Sequence, residues 1–178
     1  MTTIDRPQPS EFNEFYAGYI AKVPVSGPVG LLRTQMAAFE KLRYLSEEQG
    51  FYRYAEGKWT IKQLVGHMAD TERLFSYRLL HVLRADPAPL AGMDEKAWTA
   101  ASPHGRRRIA DIADEMSAVR RATIALVESI DADGVARTGI ANNFPITARA
   151  LCWILPGHAQ HHLDVLRERY NITAASSS

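Results

Sequence analysis

Residues 150–170, ALCWILPGHAQHHLDVLRERY, constrain the fold more than any other stretch. Leu151, Leu155, His158, His162 and Val165 recur in alternating steps of four and three, the buried stripe of an amphipathic helix. Two of these five inward positions hold imidazoles where leucine is the ordinary choice. Residues four apart on a helix have Cβ atoms roughly 5–6 Å apart, so His158 and His162 can aim at one point. A single metal ion, with metal–nitrogen bonds of about 2.0–2.1 Å, fits there. Two ligands do not close a site, and a third has to come from elsewhere in the chain.

The best-marked helix start is WTIKQLVGHMADTERLFSYRLLHVLR, residues 59–84. Thr60 and Gln63 fit a capping box, with Trp59 and Leu64 in the staple positions. Its apolar residues cover a wide arc, and the helix is expected to end near Asp86, ahead of Pro87 and Pro89. A further long helix is expected over Ile109–Ile130, where Ile109, Ile112, Met116, Val119, Thr123, Leu126 and Ile130 repeat in steps of three and four. Two earlier helices are read from Ser10 to Val23 and from about Leu32 to before Gly50, separated by PVSGP. DEKAWTAAS marks a short helix inside the connection over residues 90–108. DADGVARTGIANNFP reads as irregular, and strand signals are nearly absent. The economical fold is all-α: one up-and-down four-helix bundle with additional short helices, a single domain over 1–178 with loose tails at 1–9 and 174–178.

Composition narrows the function class. Of 178 residues 46% are hydrophobic and the net charge is +1, which fits an ordered globular chain with no general pull toward nucleic acid or an anionic membrane. Arg106-Arg107-Arg108, the one basic cluster, reads as a solvated helix entry. The single cysteine, Cys152, excludes an intrachain disulfide, fits a reducing compartment and reads as a small buried hydrophobe. MTTIDRPQPSEF lacks a signal-peptide pattern and no apolar run approaches about 18 residues, so the expected location is the cytoplasm.

His67 lies on the row Leu64, His67, Thr71, Leu74 of the residue 59–84 helix. A metal would satisfy three imidazoles that are otherwise costly to bury. WTIKQLVGHMADTERLFSYR, GMDEKAWTAAS and ITARALCWILPGHAQHHLDVLRERY together resemble the DinB-like (DinB/YfiT) superfamily over essentially the whole chain. The resemblance implies a four-helix bundle that binds one divalent metal through three histidines, which fall here on His67, His158 and His162. It also implies a metal-dependent hydrolase, or an enzyme transferring low-molecular-weight thiols such as bacillithiol or mycothiol, with a small-molecule substrate. The chain departs from the expected pattern at Pro156, either a tolerated kink or a bend that swings His158 toward the site.

Three neutral imidazoles leave coordination positions open, as a catalytic site requires. The ion is Zn, Ni or another first-row metal, since affinity order does not select one. Zincin proteolysis is set aside because Ala159 stands where that motif needs its glutamate, and no Glu-x-x-His pairs support a di-iron centre. Asp70 and His161 are the candidate acid–base groups, with surface roles as their alternatives. Glu72 reads as structural, His81 and His104 as surface residues, Arg78 as a contact for a substrate anion, and Asn142-Asn143-Phe144 as a helix cap or an entrance. The rival function is a non-catalytic metal-binding or stress-response module, acting as a homodimer through an exposed helix face.

Overall fold

The computed structural model describes residues 2–173. In chain order its α-helices are α1 (Ala17–Ile20), α2 (Pro28–Leu42), α3 (Glu47–Phe51), α4 (Ile61–Leu83), α5 (Glu95–Ala101), α6 (Ile109–Glu128), α7 (Ala132–Val135) and α8 (Ala148–Tyr170). One antiparallel hairpin, β1 (Thr138–Ala141) with β2 (Phe144–Thr147), precedes α8.

The helix boundaries follow from local chemistry. α2 starts with Pro28 at its first position, after Gly27 at φ 96°. α4 starts at the expected capping box: Gln63 N–H donates to Thr60 Oγ1 and Thr60 N–H to Gln63 Oε1, at 3.2 and 2.9 Å. Thr147 caps α8 through Ala150 N–H, and Asn171 closes it in the left-handed conformation. α8 runs unbroken through Pro156.

α2, α4, α6 and α8 form the bundle, and its wiring is specific. Glu72 and Ser76 of α4 meet Arg120 and Thr123 of α6 in the same order, so these neighbours run parallel. Arg33 of α2 and Arg43, which caps its end, reach Glu128 and Asp114 of α6 in reverse order, so that pair is antiparallel. α4 and α8 are also antiparallel, with the start of α4 against Tyr170 and Phe75 against His158. The connection over residues 84–108 carries the chain back along the bundle between α4 and α6. The four-helix bundle is as expected, but its simple up-and-down order is corrected, because helical periodicity counts helices and leaves such a return open.

Two apolar clusters fill the bundle, one around Leu32, Leu79, Val127 and Trp153, the other around Phe39, Val65, Ile112 and Leu166. Between them lies a buried polar layer built from all four long helices. Arg120 (α6) holds both carboxylate oxygens of Glu72 (α4) at 2.5 and 2.6 Å and donates to Gln35 Oε1 (α2) at 2.5 Å. The Gln35 amide donates in turn to the Pro156 carbonyl and to Gln160 Oε1 of α8, at 2.9 and 3.1 Å. This layer sets the depth at which α8 sits against its neighbours.

Four further expectations are corrected. Residues 10–23 do not make one helix: Asn13 accepts from Phe15 N–H and diverts the chain into short turns before α1. A second box at Ser46 and Gln49 starts α3, beyond the end of α2. The irregular segment before α8 contains the hairpin, turned by Asn142 and Asn143 at φ 51° and 65°, a two-residue loop with both residues left-handed. The N-terminal arm is fastened, because Trp153 Nε1 donates to Ile4 O at 3.1 Å and Ile4 is buried. The other tail, 174–178, lies outside the described residues.

Candidate metal centre

The antiparallel contact of α4 with α8 sets His67 opposite His158 and His162. The ring centroids are 5.3 Å apart for His67–His158, 4.9 Å for His67–His162 and 4.5 Å for His158–His162. One ligand nitrogen from each of the three lies within 4.8 Å of the others. All three rings are buried. Of the expected α8 stripe, Leu151, Leu155, His158 and His162 are buried, while Leu166 replaces the partly exposed Val165 at its end.

Burial sets the protonation state. Desolvation pushes the His67 imidazole down to about 4, against a smaller pull upward from Asp70. Desolvation first, then neighbouring imidazoles, holds His158 and His162 well below the usual histidine range. The rings are therefore neutral at pH 7, the form that ligates metals.

The donor set fits a cation. His158 Nε2 and His162 Nε2 face each other at 3.0 Å, and His162 Nδ1 is buried without a hydrogen-bond partner. Two nitrogens sharing one ion at bonds of about 2.0–2.1 Å lie roughly 3 Å apart, so this pair has the required separation. The described His, Cys, Asp and Glu side chains add no fourth member to the cluster.

Both glycines that precede ligands are packing notches. A Cβ on Gly66 would lie 2.2 Å from the His104 ring, and one on Gly157 would lie 2.2 Å from Tyr19 O. The first notch lets His104 lie on α4, where its Nε2 is 2.8 Å from Asp70 Oδ2. The second lets α1 press on α8, so that the Tyr19 ring meets His158 edge-on at 5.3 Å. Phe75 flanks His158 at 5.7 Å and Trp59 lies 4.8 Å from His67.

Two cavities reach the cluster. One, of about 290 Å³, touches His67 and His158 and is bounded also by Tyr19, Arg78, Glu95 and Asn142. The other, of about 500 Å³, touches His162 and His161 together with Lys58, Lys96 and Tyr170.

The remaining candidates divide. His161 sits at the rim, half-buried, 4.9 Å from the His162 ring. Asp70 lines neither cavity and spends its carboxylate on His104 and, at 3.5 Å, on Arg73. His104 and His81 are buried rather than surface residues, each facing a carboxylate, Asp70 and Asp86 respectively. Glu72 is structural. Cys152 is buried, and desolvation pushes its thiol up to about 12. No helix among the described residues is long and apolar enough to cross a membrane.

The sequence profile of the DinB superfamily matches residues 31–166. The chain belongs to the DinB superfamily. A search of curated proteins finds no match. Among solved structures, YfiT from Bacillus subtilis superposes with a TM-score of 0.70 at 20% identity, covering 94% of each chain. Its description reads "a probable metal-dependent hydrolase with an unusual four-helix bundle topology". At that identity the likeness shows the fold.

Tyr19, Glu95, Gln35 and Arg120 escaped sequence reasoning. Tyr19 and Glu95 come from the first short helix and from α5, and only tertiary packing brings them to α8. Arg120 sits within the periodic run of α6, and its charge is buried only because tertiary packing sets Glu72 opposite it.

Proposed function

We propose that His67, His158 and His162 hold one divalent first-row cation, zinc or nickel among the candidates, and that the protein is an enzyme acting with it on a small molecule. The observation that carries this reading is a buried, uncharged three-imidazole cluster that opens onto cavities and has no fourth His, Cys, Asp or Glu ligand among the described residues. Structural sites are closed by four protein ligands, so the open cluster favours an enzyme over a non-catalytic metal-binding module. When bound, the cation supplies Lewis acidity, lowering the pKa of a coordinated water or thiol.

The chain's own groups supply the rest. Trp59, Phe75 and Tyr19 exclude bulk water around the imidazoles. His161, at the mouth of the larger cavity, holds or moves a proton; burial lowers its pKa, with Lys22 adding. The Tyr19 phenol keeps its proton, since burial and then Glu95 raise it, and it can donate a hydrogen bond into the smaller cavity. Asp70 acts by positioning, through His104 and the first turns of α4.

Hydrolysis is the leading reaction, in line with the wording attached to YfiT. Thiol S-transfer is the second reading, favoured by two cavities that reach the cluster from different residues and offer room for two molecules. Elemental analysis of untagged protein should find one metal per chain. His162→Ala should lose both metal and turnover while remaining folded. Metal-free protein with full turnover would sink the proposal, and a product screen with water or added thiols as acceptor separates the two reactions.

A further inference from the structure

Arg78 is a buried cation without a counter-ion. It is 2% exposed, and its Nη2 donates to the Ala91 carbonyl at 2.8 Å while its Nη1 reaches Tyr16 Oη at 3.4 Å. Both acceptors are neutral. Its Nε is buried with no partner at all, and no carboxylate lies within ion-pair distance of the group among the described residues. Removing a guanidinium from water is costly unless an anion compensates it, and an unmade hydrogen bond adds to that cost. Elsewhere in this chain the rule is kept: Arg120 is buried as completely and grips Glu72 with both edges.

Arg78 also lines the same cavity as His67 and His158. His67, Thr71, Phe75 and Arg78 follow one face of α4, and eleven residues at 1.5 Å each put the two end positions roughly 16 Å apart along the axis. An arginine side chain leans back toward the helix N-terminus, which shortens that gap. The cavity therefore has an imidazole end and a guanidinium end, with the Phe75 ring between them; the Arg78 guanidinium lies 5.7 Å from that ring. Glu95 faces the cavity too, and its charge acts on Tyr19 and His161, at the histidine end. A single negative charge pairs with Arg78 at its end of the cavity, whereas a second charge would meet Glu95 at the other.

We infer that the cavity between His67 and Arg78 takes a small monocarboxylate, with an apolar body along Phe75 and its carboxylate on the Arg78 guanidinium. The planar Nε–Nη fork matches a carboxylate in a way that a lysine ammonium does not. This assigns a substrate class to the site and rests on the functional reading above, yet carboxylate binding at Arg78 does not itself need the metal.

The test uses the whole, chelator-treated protein and follows the arginine Nε–H resonances by NMR. The Arg78 signal is assigned by its loss in Arg78→Lys. Titration with butyrate, hexanoate and octanoate should shift that signal, with one chain length binding at least tenfold more tightly than its primary amide. In Arg78→Met and Arg78→Lys, which lack that resonance, line broadening of the ligand's own signals reads binding: the first should abolish the preference and the second retain part of it. Equal binding of acid and amide by the wild-type chain overturns the inference without needing any variant to fold. Inorganic phosphate shifting the signal at lower concentration than every carboxylate overturns it as well. Metal content measured on untreated protein keeps the two proposals separate. Carboxylate preference without metal sinks only the enzyme reading, and metal without the preference sinks only this one.

Discussion

Arg120 holds both oxygens of Glu72, at 2.5 and 2.6 Å, with neither side chain more than 2% exposed. The pair joins α6 to α4 and, through Gln35, ties both to the Pro156 carbonyl of α8. It therefore fixes the relative heights of the helices that carry the three histidines. Removing one partner strands a buried charge, so Glu72→Ala should cost about 3–5 kcal/mol in urea unfolding. The double change Glu72→Met/Arg120→Met should recover most of that loss. A single mutant within about 1 kcal/mol of wild type would show that the pair is not the clamp described.

Gly157 gives a second stability prediction with its own control. An added methyl there meets the Tyr19 backbone at 2.2 Å, and backbone yields less readily than a side chain tip. Gly157→Ala should destabilise by about 1–3 kcal/mol despite the better helix propensity of alanine. Gly30, in α2, has nothing within 4 Å of its Cβ position, so Gly30→Ala should be neutral or stabilising by up to about 1 kcal/mol. Equal effects at the two glycines would count against a close α1–α8 approach.

Stability of the metal-free protein should depend on pH between about 4 and 6.5. His67 takes up its proton near pH 4 when folded and near 6.5 when unfolded, so the unfolded chain binds more protons in that window. Stability is complete above pH 6.5 and falls as pH drops toward 4, by about 3 kcal/mol for His67 alone. His158 and His162 shift in the same direction and steepen the fall. Urea midpoints at half-unit steps from pH 7 to 5 measure it, and a flat profile would contradict buried neutral rings.

Adding metal should raise stability in proportion to occupancy. At a free ion concentration one hundred times the Kd, the gain is about 2.7 kcal/mol by mass action. His67→Ala and His162→Ala should each abolish the response to zinc or nickel in thermal melts. An unchanged melting temperature in wild type at millimolar metal would argue against a shared ion.

Much of this protein was legible in one dimension. The three-and-four spacing of α6, the Thr60–Gln63 box and the His158–His162 step on α8 are local properties, set by helix geometry and by which backbone groups need caps. They mark three of the four long helices and the chemistry each carries. The Asn142–Asn143 turn was local as well, a signal of left-handed backbone that was read instead as a helix cap or an entrance in an irregular segment.

Tertiary structure decided the rest. Whether His67 faces His158, whether α4 and α6 run parallel, and whether Arg120 is buried all depend on residues far apart in the chain. Gly66 and Gly157 look alike in sequence, and only packing shows that one receives an imidazole and the other a carbonyl oxygen. A helix records which of its faces is apolar; the partner that covers that face is chosen by the summed fit and charge balance of all four helices at once.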